Sequence, residues 1–469
     1  MRSGLRTVLI VVALFGCWLA LQRNNCRCAA GPDSSGYLNE ARLVAEGRAS
    51  LRVDPALRDK SVPLGFTTGR DAASIVPTYP PGLPMLIAIA AKIGGWGRGA
   101  FVIVPLCAIG CLVLIALLAR ELGLSVAASI GAAILLAAYP IFIFQSLVTM
   151  SDVPATFFVL LTFVLALRGR ERLLMAVLAG AAFGAAVWIR PTNLLFALPL
   201  AFALRWRPRA LGAAIAGALP FGIALMLLNH AWYGHPLRTG YGEIDVVSFD
   251  VLAKCSAFHA SAILTMLTPL VLAAIAVAFD RAFDRSTRAM LVTWFAVLFA
   301  FYALYPVCSN PTDARFLLPS IPAVIIGLFS AARMLAKWRF VPLAMILIVF
   351  ANEVRVGSNE RVWRADDYDA TYRDAIRWAE PHIAPNSIVM TGLLSGAMLY
   401  YTNRVTLRWD AADQNDIDRL RSRPVYALIS DLELPPDAFR RRYPSRWTIA
   451  ARHVGKHSSE TLWRLDSAR

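Results

Sequence analysis

Apolar stretches of about 15 to 20 residues recur along the first three quarters of this chain, each near the length a helix rising 1.5 Å per residue needs to cross the hydrocarbon of a bilayer. That pattern dictates the solvent. A composition of 57% hydrophobic and 17% charged residues, with a mean hydropathy of +0.55, agrees with it. Spans are expected near 7–21, 100–119, 124–140, 153–167, 173–189, 193–204, 210–228, 261–279, 289–305, 316–332 and 340–351. This predicts an α-helical polytopic membrane protein of about eleven spans with juxtamembrane helices.

One further apolar run, 82–94, holds only about a dozen residues between Pro80-Pro81 and Gly94-Gly95 and includes Lys92. It reads as a juxtamembrane or re-entrant helix. If it does not cross, then Arg2/Arg6, Arg120, Arg168/Arg170/Arg172, Arg205/Arg207/Arg209, Arg281/Arg285/Arg288 and Arg333/Lys337/Arg339 all share one side. The positive-inside rule makes that side cytoplasmic. The same topology places Glu121, Glu171, Asp280 and Asp284 inside, and Asp33, Asp54, Asp71, Asp152, Glu243, Asp245 and Asp313 outside. Chemistry that needs carboxylates is therefore expected on the extracytoplasmic face.

The net charge of +16 raises the question of nucleic acid. The basic residues, however, are dispersed at helix ends without an aromatic platform, so topology accounts for them and no nucleic-acid partner is expected. The first helix begins with Arg2 and Arg6 like a signal peptide, but Leu19-Ala20-Leu21-Gln22 lacks a small-x-small cleavage site, so it is expected to remain as a span. Cys17, Cys107 and Cys111 sit in apolar helices. Cys26, Cys28, Cys255 and Cys308 fall in outer segments where a disulfide could form, with no readable pairing.

After residue 351 the apolar runs stop. Helical periodicity at 368–380 and 393–401 alternates with short strand patterns at 387–390, 405–409, 425–430, 448–453 and 461–465. The expected organisation is a transmembrane domain at 1–351, carrying an outer loop at 22–99, and a small soluble α/β domain at 352–469 on the extracytoplasmic side.

Asp33, in Gly31-Pro32-Asp33-Ser34-Ser35-Gly36-Tyr37 just beyond the first helix, is the leading candidate for a general base. The plainer alternative is a cap for a helix starting at Ser34. Asp152 likewise reads either as a second functional acid or as the cap of a helix starting at Val153-Pro154. Arg190 and Arg315 stand at span ends, where guanidinium groups either snorkel or hold a phosphate through paired donors. His230, His235 and His259 fall in an apparent loop at 229–259, and carboxylates from two outer loops could share a divalent ion, but no ligand spacing singles out a metal site.

Five segments resemble the C-type integral-membrane glycosyltransferase superfamily, in the branch of protein O-mannosyltransferases, lipid A aminoarabinose transferases and related bacterial lipid-linked sugar transferases. Asp33-Ser34-Ser35-Gly36-Tyr37 is similar to the family's first-loop Asp motif, whose Asp is the presumed base. Tyr79-Pro80-Pro81-Gly82-Leu83-Pro84 resembles its Pro-Pro-Leu juxtamembrane helix. Tyr139-Pro140 followed by Ser151-Asp152-Val153-Pro154 is similar to the loop that supplies a second acid. Trp188-Ile189-Arg190-Pro191-Thr192 resembles its Arg-Pro span end, and Arg315-Phe316-Leu317-Leu318-Pro319 its late Arg-aromatic-Leu-Leu-Pro motif. A loop from Asn229 through His235-Pro236-Leu237 to Gly240-Tyr241 is similar to a substrate-facing loop of related bacterial transferases.

The resemblance implies transfer of a sugar, with inversion, from a polyprenyl-phosphate donor to an extracytoplasmic glycan, lipid or protein. It assigns Asp33 and Asp152 to catalysis, and Tyr37, Tyr79, Arg190, Tyr241 and Arg315 to substrate binding. Departures matter too. Ser34 stands where the mannosyltransferases carry a second acid, and no His precedes the Pro-Pro motif, which favours a bacterial envelope acceptor such as lipopolysaccharide over a protein. The alternative is a secondary transporter, which would need related halves and interrupted polar helices at the midplane.

Overall fold

The structure is a computed structural model that describes residues 2–241, 247–338, 340–420 and 422–466. Glu243, Asp245 and Arg339 lie outside the described residues. The chain divides into two compact units: Met1–Asn25, Val102–Leu225 and Glu243–Trp363 form one, and Cys26–Phe101, Met226–Gly242 and Arg364–Arg469 form the other.

The first unit is helical. It contains α1 (Arg2–Asn24) and, after the other unit's α2 (Gly31–Ala45) and α3 (Gly82–Gly94), continues with α4 (Ile103–Glu121), α5 (Val126–Ala138), α6 (Pro140–Leu147), α7 (Asp152–Gly169), α8 (Leu173–Ile189) and α9 (Ala197–Ala203). There follow α10 (Pro208–Tyr233), whose last turns belong to the second unit, then α11 (Leu252–Leu267), α12 (Arg285–Ala303), α13 (Ile321–Met334) and α14 (Val341–Asn359). Among the described residues seven helices are long and apolar enough to cross a bilayer, or eight if α5 and α6 make one span. Those two meet at a 63° bend, where Tyr139 is extended and Pro140 removes a backbone donor. The protein is therefore a multi-pass membrane protein.

Several expected spans are shorter or broken. Residues 191–203 form a 3-10 turn (Pro191–Phe196) leading into α9, because Pro191 follows an extended Arg190. The run expected at 261–279 instead starts at Leu252, stops at Thr268 and resumes as a 3-10 helix over Pro269–Phe279. Helix α3, at 13 residues, is short, as its length and Lys92 predicted.

Helix α7 fixes the two ends of this unit. At its C-terminal end, Arg168 pairs with Glu121 at 2.7 Å, Arg205 pairs with Asp284 at 2.7 Å, and Arg170 donates to Thr287 Oγ1 at 2.9 Å. The loops expected to be cytoplasmic thus gather at one place, their acids neutralising part of their arginines. Asp152 opens the other end, about 27 Å away along 18 helical residues and so nearly a hydrocarbon thickness off. Between the two, Trp294 of α12 is fully buried, stacks on Phe163 at 4.0 Å and donates its indole N–H to the Pro319 carbonyl at 3.0 Å.

The second unit is mixed. Strands β1 (Leu51–Arg52), β2 (Phe66–Thr68) and β3 (Ser74–Pro77) form an antiparallel sheet in the order β1-β3-β2. Strands β4 (Ile388–Thr391), β5 (Leu407–Arg408), β6 (Val425–Ser430), β7 (Trp447–Val454) and β8 (Ser459–Leu465) form a second sheet in the order β5-β4-β6-β8-β7. The first three of that order run parallel and the β6-β8-β7 side antiparallel. Central β6 is buried at every position, as its unbroken Val425-Tyr426-Ala427-Leu428-Ile429 run requires. Helices α15 (Ala365–Ala379), α16 (Ser395–Thr402), α17 (Gln414–Arg419) and α18 (Pro436–Arg442) flank it. Helix α2 lies against α16, where Asn39 Nδ2 donates to the Gly396 carbonyl at 2.9 Å.

Candidate active site

In the second unit the site residues gather around Asp33. Helix α2 starts at Gly31 with Ala30 at its N-cap, so Asp33 falls inside the first turn and does not cap a helix at Ser34. Pro32 causes the difference: its fixed φ suits the first turn and draws the helix start three residues earlier than the Asp-Ser-Ser pattern implies. An acid there is favoured by the helix dipole, and its carboxylate also accepts a hydrogen bond from the Tyr79 hydroxyl at 2.7 Å.

Tyr79 is buried, and its ring packs on Tyr37 at 4.6 Å and on Tyr241 at 6.0 Å. Burial, the neighbouring Asp33 carboxylate and the hydrogen bond to it all push the Tyr79 hydroxyl well above its ordinary pKa. Tyr79 therefore keeps its proton and donates a hydrogen bond to the Asp33 carboxylate. Two glycines permit the approach. A Cβ on Gly36 would strike the Tyr79 ring and the Gly65 backbone, and Gly65, at φ +88°, has the left-handed conformation that other residues adopt only with strain. Gly240 passes as tightly over the Thr78 backbone, which is how the Gly-Tyr pair brings Tyr241 to Tyr79.

Further along α2, Glu40 is fully buried, and neither carboxylate oxygen has a hydrogen-bond partner among the described residues. Desolvation raises its pKa well above the ordinary carboxyl range. A group that binds its proton more tightly when folded makes the protein most stable below the unfolded value of about 4.3, and stability falls as pH rises from there towards the folded value. Glu40→Gln is expected to flatten that slope, measured as the melting temperature of the purified protein between pH 5 and 8. An unchanged slope would contradict the assignment.

In the first unit the expected residues gather around Phe316. The Asp152 carboxylate, 1% exposed, forms an ion pair with Arg190, which terminates α8 in extended conformation. The N-cap of α7 is Ser151. Asp152 is accordingly not the cap, and its carboxylate neutralises an arginine. The Arg190 guanidinium lies 5.1 Å from the Phe316 ring centroid and that of Arg315 5.3 Å from the same ring. Tyr302 stacks on Phe316 at 5.0 Å, and its hydroxyl lies 3.2 Å from Thr192 Oγ1.

Asp313 is taken up by structure, accepting from the Ser309 and Asn310 amides at 3.1 and 2.9 Å to cap the 3-10 helix (Pro311–Ser320) that carries Arg315. The histidines do not share a loop. His230 lies in α10, and His259 is buried inside α11, while His235 accepts from the Leu237 amide at 3.2 Å in the turn between them. Phe316, Tyr302 and Glu40 were not singled out by sequence; for Phe316 the signal was its place inside the Arg-Phe-Leu-Leu-Pro motif.

Residues 101–211 match the dolichyl-phosphate-mannose-protein mannosyltransferase family. No curated protein sequence matches the chain. Among solved structures, ArnT from Cupriavidus metallidurans bound to undecaprenyl phosphate superposes with a TM-score of 0.65 at 12% identity, covering 98% of each chain. The archaeal oligosaccharyltransferase AglB from Archaeoglobus fulgidus, in complex with an inhibitory peptide and a dolichol-phosphate, gives 0.54 at 13% identity, covering 94% of this chain and 71% of that one. The mycobacterial arabinofuranosyltransferase AftD gives 0.54 at 15% identity, covering 98% and 40%. This chain has the fold of the integral-membrane transferase structures it matches, and its residues 101–211 match the protein-mannosyltransferase family.

Proposed function

We propose that this protein transfers a sugar from a polyprenyl-phosphate donor to an acceptor on the extracytoplasmic face of a bacterial inner membrane. The observation that carries the reading is the pair of guanidinium groups on Phe316, at the end of the membrane unit opposite the basic loops. A lipid phosphate at the headgroup level needs such cations, while its tail lies among apolar helices. The ArnT relative with undecaprenyl phosphate bound and the AglB relative with dolichol-phosphate support that class of donor. The Cys255–Cys308 disulfide supports the orientation, because it sits near the end of α12 remote from Asp284 and disulfides persist in oxidising compartments. Nothing in the fold match supports the transporter alternative.

In this reading Asp33 takes the proton from an acceptor hydroxyl or amine as that group attacks the anomeric carbon. The carbon–phosphate oxygen bond breaks, polyprenyl phosphate leaves with the electron pair, and the configuration inverts. Arg315 and Arg190 bind the phosphate, with Asp152 holding Arg190 in place. Tyr79 orients the base, and Tyr37 and Tyr241 form the aromatic wall behind it. The acceptor class that fits best is an envelope glycan or lipid, lipopolysaccharide included.

The test is transfer from radiolabelled polyprenyl-phosphate sugars to endogenous lipids and glycans in membranes containing or lacking the protein. Arg315→Ala is expected to weaken donor binding by about 1.5–3 kcal/mol, roughly tenfold or more in the donor KM. If the KM for donor stays constant in that variant, Arg315 does not hold the phosphate.

A further inference from the structure

Two cysteines and an aspartate outside the site described above meet at the root of the second unit. Cys26 and Cys28 lie in the irregular segment between α1 and α2. Both are 1% exposed. Asp366 opens α15 one turn before Asp369, so both carboxyl groups project from one helix face. The two sulfurs and an Asp366 oxygen all lie within 4.8 Å of one another.

We propose that Cys26, Cys28 and Asp366 form a structural site for a thiophilic divalent ion, zinc by preference, with water as the fourth ligand. Tetrahedral zinc with Zn–S near 2.3 Å and Zn–O near 2.1 Å would hold two such ligands roughly 3.6 Å apart. The separation between Cys28 Sγ and Asp366 Oδ1 is 3.7 Å. Thiolate and carboxylate donors in a four-ligand set select zinc over the oxygen-seeking calcium and magnesium.

Charge is accounted for by a neighbour. Two thiolates and one carboxylate would leave a zinc site with a net negative charge, and Arg373 Nη1 stands 3.3 Å from the Cys28 sulfur, placed to donate to it from the outer shell while its Nε pairs with Asp374 at 3.0 Å. Exposed Asp366 offers the ion its way in past the buried sulfurs.

The consequence is local stiffness beside the base. The Cys28 carbonyl accepts from Ser34 Oγ at 3.1 Å, and the Ala29 amide donates to the Tyr401 hydroxyl at 2.9 Å. An ion here would tie the segment leaving α1 to α15 and fix the start of α2, the helix that carries Asp33. This inference stands on the ligand geometry and does not depend on the sugar-transfer reading.

The full-length protein, purified in detergent without chelator, is expected to carry about one zinc ion per chain by elemental analysis. After chelation and reconstitution with cobalt, it should show a thiolate-to-cobalt charge-transfer band. Cys26→Ser should weaken the band and the double variant Cys26→Ser/Cys28→Ser should abolish it and release the zinc. Asp366→Asn should lower zinc affinity about tenfold or more. Wild-type protein that binds neither zinc nor cobalt, a Cys26–Cys28 disulfide in non-reduced peptide maps, or zinc retained in full by the double variant would each overturn the site. Should the double variant fail to fold, the wild-type cobalt spectrum and its loss of intensity in Cys26→Ser decide the question.

Discussion

Asp33→Asn is expected to reduce sugar transfer by about 10²- to 10⁴-fold while leaving the melting temperature near that of the wild type. The amide has the shape of the carboxylate and can still accept from Tyr79, which donates at 2.7 Å, so the packing of α2 is preserved. It cannot take a proton from an attacking hydroxyl at neutral pH. The loss should fall on kcat, with the donor KM little changed, because the phosphate is assigned to other residues. Tyr79→Phe supplies the contrast. It removes the donor without removing the base, so its effect should be smaller, confined to the positioning of the Asp33 carboxylate. An Asp33→Asn protein that transfers sugar at the wild-type rate would take the base assignment away from this residue.

Much of the architecture was legible because hydrophobicity is a one-dimensional signal. The short length of α3 was readable from its flanking Pro80-Pro81 and Gly94-Gly95, and strand patterns at 425–430 and 448–453 reappear in β6 and β7. Errors arose where local chemistry competes with the average. The first turns of α11, Leu252-Ala253-Lys254-Cys255-Ser256, are too polar to register as a span, so a helix was read as loop and His259 was grouped with His235. Proline punctuation was under-read in both directions: Pro32 starts α2 early, and Pro269 cuts an apolar run in two.

For the site, residue identities were legible and partnerships were not. Asp33 and Tyr79 are 46 positions apart, and their hydrogen bond exists because Gly36 and Gly65 let two backbones touch. Nothing in a linear pattern shows that a Cβ is missing for that reason. Arg190 and Arg315 were visible as charges at span ends, but their common ring, Phe316, depends on how Tyr302 and Thr192 pack beside it. Cys26 and Cys28 were visible as thiols. Their carboxylate neighbour, Asp366, lies 338 positions beyond Cys28.

Arg190→Ala is expected to produce the largest loss of stability, about 3–5 kcal/mol, because it strands the Asp152 carboxylate, 1% exposed at the start of α7, without its countercharge. The cost comes from the orphaned anion more than from the lost attraction, and that distinction is measurable. Asp152→Asn in the Arg190→Ala background removes the buried charge, so the double variant should be more stable than Arg190→Ala alone, with a coupling of about 0.5–3 kcal/mol. Activity should behave differently. If Arg190 also binds donor phosphate, the double variant regains stability without regaining transfer, whereas a purely architectural pair would regain both together. Melting temperature and donor KM measured on the two single variants and the double variant separate these outcomes, and recovery of both would confine Arg190 to holding α7 against α8.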